Sequence, residues 1–163
     1  MGSGKSTLLA EASDLLAQRN IPHAAIDADA LSLACLPAET PTSIEDIQFT
    51  NLRSICENYA AIGITRFILT RALEDRAERE ACQSAVAATQ TIVVRIIASL
   101  ETMQQRIRSR ETGILQQQFI DRVATLNAIL DAAHLEDFTV ANDSRSITDA
   151  ALEVLLKANW IAE

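Results

Sequence analysis

Two closely spaced glycines running straight into Lys-Ser-Thr and then into a leucine stripe constrain this chain more than any other feature: Gly2-Ser3-Gly4-Lys5-Ser6-Thr7. The run matches the closing half of the phosphate-loop pattern G-x-x-x-x-G-K-[ST]. Glycines there let successive backbone N–H groups turn toward an anion, and the helix that follows adds its positive end. In that pattern the lysine reaches the β- and γ-phosphates and the serine hydroxyl suits Mg²⁺. Gly2, Ser3, Gly4, Lys5, Ser6 and Thr7 are therefore the expected nucleotide contacts, with Lys5 catalytic and Ser6 a metal ligand. Only four glycines occur in the chain, and two of them stand here. The competing reading is a glycine-serine tail leading into a helix. Against it, Leu8, Leu9, Ala12, Leu15 and Leu16 take up helical spacing at once, with Asn20 as C-cap.

The pattern's leading glycine, and the strand that feeds such a loop, would fall upstream of Met1. Downstream, helical and strand patterns alternate with no Pro/Gly/Ser-rich linker between them. Residues 23–27 read as a strand. A helix follows from about Thr42 or Ser43 to Ile62, with Ser43 and Asp46 as a capping box and Gly63 beyond its end. Residues 66–70 form a strand and 74–88 a charged helix. The β-branched run 91–97 predicts a strand buried on both faces. Ser99 caps a helix to about Glu111, Gly113 breaks it, and a second helix continues to about Ala133. A last strand, 137–141, precedes a helix opened by Ser146 and Asp149 and reaching about Trp160.

Strands separated by helices predict a single α/β domain over 1–163, with a three-layer, doubly wound parallel sheet and a helical lid around 99–133. Four strands are visible and the central first one is missing. That leaves a slot between two unpaired strands, where each buried unpaired backbone group costs ~1–3 kcal/mol. A start placed too far downstream, or a fragment, is the preferred explanation, and a small adapted sheet the alternative.

Composition narrows the function classes. With 48% hydrophobic residues, the 163-residue chain can bury a substantial core. Its net charge of −8 argues against a nucleic-acid partner. The chain shows no secretory segment and no membrane-spanning apolar stretch. Cys35, Cys56 and Cys82 are too scattered for a metal or disulfide framework, fit a cytoplasmic location, and read as small buried hydrophobes. Neither His23 nor His134 is given a catalytic role.

Several polar residues sit where strands end, and in parallel sheets the carboxyl ends of strands face the ligand crevice. Asp27 and Asp29 close the first visible strand. Acids there can orient Mg²⁺ or take a proton from a substrate hydroxyl. Asp29 is expected in catalysis and at the metal, and Asp27 at the substrate; alternatively, Asp29 caps the short segment from Ala30 to Cys35. Arg106 and Arg110 are four apart and share a helix face, from which mobile cations could close over a transferring phosphoryl group. The competing reading pairs them with Glu101 and Glu111 in solvent. Arg71, Asp75, Arg76 and Arg79 follow the second visible strand and could border an acceptor site; Arg79 reads as helix surface, an alternative that also stands beside the acceptor reading for Arg71 and Arg76. Asn142, Asp143 and Arg145 follow the last strand, where a loop could pack on a nucleobase or simply turn before Ser146.

Taken in order, Gly-Ser-Gly-Lys-Ser-Thr, Ile26-Asp27-Ala28-Asp29, Thr70 with Asp75-Arg76, the Arg106–Arg110 segment and Asn142 resemble the small P-loop kinases of the adenylylsulfate, gluconate and nucleotide kinase group. The chain is also similar to bacterial AAA-type ATP-binding proteins of this size. Asp-x-Asp resembles the Asp-Gly-Asp of adenylylsulfate kinases, which implies that Asp29 lies at the substrate hydroxyl and metal. The chain has Ala30 and Ser32 where those kinases have Asn and Arg, and Thr70-Arg71-Ala72-Leu73 where they have Ser-Pro-Phe-Arg. The resemblance thus implies the kinase scaffold, ATP and Mg²⁺, and argues against adenylylsulfate as substrate.

The resulting expectation is an ATP- and Mg²⁺-dependent phosphotransferase with a small hydroxylated or nucleotide-like acceptor, and neither nucleic acid nor membrane as partner. Two alternatives stand beside it: a nucleotide-binding ATPase or switch without a small acceptor, and a non-catalytic truncated remnant.

Overall fold

The computed structural model describes residues 1–162, without the side chain of Leu115; Glu163, the last residue of the expected domain, lies outside them. Helices and short parallel strands alternate along it: α1 Lys5–Gln18, β1 Ala24–Asp27, a 3₁₀ turn Ala28–Ser32, α2 Ile44–Ala61, β2 Phe67–Thr70, α3 Arg76–Val86, β3 Val94–Ile97, α4 Leu100–Arg110, α5 Ile114–Ala133, β4 Phe138–Ala141 and α6 Ile147–Lys157.

Local chemistry accounts for the boundaries. Ser43 and Asp46 form the expected capping box, satisfying two donors at the head of α2. Ser99, Ser146 and Asp75 cap α4, α6 and α3 by accepting the N–H of the residue three positions on. Asn20, Gly63 and Gly113 all carry positive φ where helices end or begin. The closing helix stops at Lys157, short of the expected Trp160, and Asn159 then turns with φ 56°.

The strands differ from expectation. They form two two-stranded parallel sheets, β1–β2 and β3–β4, and not one doubly wound sheet. Each of β2 and β3 pairs along one edge only among the described residues. Thr91, Ile92 and Val93 precede β3. Nor is β3 buried on both faces: Val94, Arg95 and Ile96 are half-buried and Ile97 is 39% exposed. With no neighbour on its second edge among the described residues, the β-branched run lacks the cover a central strand would have.

What joins the two sheets is α1. Leu8, Ala12, Leu15 and Leu16 form a core with Val140, Ala150, Ala151 and Leu155, against which Ile68 of β2 and Val94 and Ile96 of β3 also pack. A second core, around Ile26, Leu52, Cys56 and Ala85, lies between the β1–β2 sheet and α2 and α3. A third, of Met103, Ile107 and Val123, joins α4 to α5. Cys56 is buried and Cys82 half-buried, but Cys35 is exposed and so is not the buried hydrophobe expected. No helix among the described residues is long and apolar enough to cross a membrane.

Candidate functional site

The glycine loop lies at the carboxyl ends of the strands and is held from behind. Gly4 is the N-cap of α1, with φ 94° and ψ 19°, and no side chain caps the helix. Gly2 has φ 68°, and a Cβ there would stand 2.6 Å from the Met103 carbonyl oxygen. A Cβ on Gly4 would strike the Asn142 amide. The loop carbonyls face that same side: Asn142 Nδ2 donates to Ser3 O at 2.8 Å, and Arg106 Nη1 approaches Gly2 O at 3.3 Å and Ser3 O at 3.4 Å. Tying carbonyls backward turns the amide donors of the loop and of the first helical turn the other way, toward the crevice.

In front of the loop, Ser6 Oγ donates to Asp27 Oδ2 at 2.6 Å. The other oxygen of Asp27 accepts the Asp29 N–H at 3.2 Å, so it is Asp27, and not Asp29, that caps the turn after β1. Asp29 is exposed, and its carboxylate accepts no hydrogen bond among the described residues. The Met1 α-ammonium carries charge effects from Lys5, Asp29 and Arg110. Burial above all, and then Lys5, lowers its pKa to about 6; Arg110 adds to this and Asp29 opposes it.

The remaining candidates separate. Arg106 is committed to the loop's underside, where its Nη2 also donates to Asn142 O at 2.7 Å; it is not a free cation above the crevice. Arg110, at the end of α4, has a side chain 62% exposed and pairs with Glu111 at 2.7 Å. Asn142 is 4% exposed, and its side-chain Nδ2 donates to Ser3 O, so it braces the glycine loop. Arg71 borders the same cleft as Ser3 and Lys5. It is nearly buried, bonds Gln48 and Glu78, stacks 5.0 Å over the Phe49 ring, and keeps a buried Nε without a partner. Arg76 is exposed on a different cleft with Arg79 and His134, so it is not brought to Lys5. Arg79 is more than helix surface, since it donates to Leu135 O at 3.0 Å.

Gln48 was not anticipated, and Asp143, expected only in a loop that packs on a nucleobase or turns, has a different role. Gln48 heads the buried stripe Gln48, Leu52, Cys56 on α2 and donates to Ala28 O; a polar residue in register with an apolar stripe is a signal legible in the sequence. Asp143 accepts the Ser99 N–H at 2.8 Å, bracing the start of α4 against the end of β4 across a long stretch of chain that no local pattern reports.

No group of three or more His, Cys, Asp or Glu side chains converges among the described residues. The oxygens of Ser6 and Asp27 are hard donors of the kind Mg²⁺ accepts, and Mg²⁺ needs few protein ligands because it retains water and binds phosphate oxygens. No family model and no curated protein matches this sequence.

Proposed function

We propose that this chain is a P-loop phosphotransferase, moving the terminal phosphoryl group of ATP to the hydroxyl of a small acceptor with Mg²⁺. The observation that carries the reading is the contact of Ser6 with Asp27 at 2.6 Å, in front of a glycine loop whose carbonyls Asn142 and Arg106 hold to the rear. A glycine-serine tail would have no use for a buried asparagine and an arginine that fix its carbonyls. The loop also fits a phosphate: two glycines at positive φ stand where side chains would clash, and an uncapped helix start adds its dipole.

In this reading Lys5 and the loop amides bind the phosphates, and Ser6 and Asp27 hold Mg²⁺. The ion, when bound, neutralises charge on the phosphate oxygens. Asp29, with its unengaged carboxylate, orients the acceptor hydroxyl and receives its proton. Arg110 supplies a mobile positive charge at the mouth, and Arg106 keeps the loop in shape. Catalysis then rests on positioning and on electrostatic preorganisation.

The test is calorimetric titration of ATP with Mg²⁺ into the purified chain and its Lys5→Met variant, followed by phosphoryl-transfer assays across hydroxylated metabolites. Binding that Lys5→Met abolishes, with transfer to one acceptor class, supports the proposal. Equal ATP affinity in both proteins, or hydrolysis that no acceptor stimulates, overturns it.

A further inference from the structure

We propose that Thr70 is a positioning residue for the magnesium ion, its hydroxyl holding a water of the ion's hydration shell beside Ser6 and Asp27. This rests on the nucleotide-binding reading given above.

Thr70 ends β2 and is 8% exposed, yet its Oγ1 is buried with no hydrogen-bond partner. A buried hydroxyl without a partner weakens a fold, and valine would fill the same space without that cost. The register shows where this hydroxyl points. β1 and β2 pair in parallel, with Ile26 opposite Leu69 and Asp27 opposite Thr70. Ile26 and Leu69 both enter the core under α2 and α3. Side chains alternate along a strand, so Asp27 and Thr70 project to the opposite face. Ile68, which shares that face with Thr70, packs against the core that α1 helps to form, and Asp27 on the same face meets Ser6. The orphan hydroxyl therefore stands one strand over from the Ser6–Asp27 contact, under the first turn of α1. Thr91, whose hydroxyl is also unpartnered, precedes β3 at the opposite end of the strands and has no part in this.

The chemistry fits a hydrated cation. Mg²⁺ keeps several waters, and each bound water is a strong donor needing an acceptor. A threonine hydroxyl has lone pairs that can accept from such a water. Groups that orient a metal's immediate ligands in this way matter nearly as much as the ligands themselves.

The experiment compares wild type, Thr70→Val and Thr70→Ser by fluorescent ATP-analogue binding in EDTA and across a Mg²⁺ titration, with thermal melting in metal-free buffer. Thr70→Val is expected to raise the Mg²⁺ half-saturation about 10-fold. Its metal-free nucleotide affinity should stay unchanged and its melting temperature should not fall, while Thr70→Ser should titrate like wild type. An unchanged Mg²⁺ dependence in Thr70→Val overturns the inference and leaves the nucleotide site standing. A lower melting temperature for Thr70→Val without metal also overturns it, because the hydroxyl would then have a partner in the metal-free protein. A wild-type chain that binds no nucleotide removes both proposals together.

Discussion

Asn142 Nδ2 reaches across 139 positions of sequence to donate to Ser3 O at 2.8 Å, tying the end of the last strand to the glycine loop at the start of the chain. The same asparagine accepts Arg106 through its own carbonyl and donates its N–H to Ile97 O at 2.9 Å. One residue thus links β3, β4, α4 and the loop. Replacing it with leucine, close in shape, should cost about 1–3 kcal/mol in urea unfolding, because the Ser3 carbonyl loses its best donor. Nucleotide affinity should fall with it. Wild-type stability in Asn142→Leu would show that the loop holds its shape unaided.

The glycines provide a matched pair of tests. Gly4 and Gly63 have similar positive φ, 94° and 90°, but a Cβ at Gly4 meets Asn142 while one at Gly63 meets nothing within 4 Å. Gly63→Ala should therefore cost only the left-handed backbone term, ~1 kcal/mol. Gly4→Ala must also displace Asn142 and should exceed ~2 kcal/mol, with loss of ATP binding. Thermal unfolding of the two variants under one set of conditions decides between crowding and backbone strain.

Arg106 and Arg110, one turn apart on α4, should fail in different ways. Arg106→Lys cannot reproduce a planar fork bonding three carbonyls and should weaken nucleotide binding and lower the melting temperature. Arg110→Ala removes an exposed side chain, so melting and ATP affinity should hold while kcat falls about 10³-fold, as for a cation acting on the transferring group. Steady-state kinetics beside calorimetry would separate the two.

The acid limb of stability should report the α2 cap. The Ser43 hydroxyl first, and the Ser43 N–H second, hold the Asp46 carboxyl below its usual range. A carboxylate favoured in the folded state stabilises above the ordinary carboxylate pKa, and that contribution is lost as pH falls through the lowered folded value. Ser43→Ala should therefore flatten the decline in urea midpoint below about pH 4 and leave its slope near neutrality unchanged. An identical acid limb in wild type and variant would refute the linkage.

Between sequence and structure the division follows the range of each interaction. The caps at Ser43, Ser99 and Ser146, the breaks at Gly63 and Gly113, and the order of helices and strands were legible because each depends on residues three or four positions apart. Residue types in one short run also mark Lys5 and Ser6 as candidates. Which aspartate meets Ser6, and which arginine is spent on the loop, was not legible. Those outcomes turn on contacts spanning 21 and 104 positions, and no local periodicity encodes them. The same holds for β3, where a β-branched run shows that a strand forms, while only the arrangement of its neighbours determines how far that strand is buried.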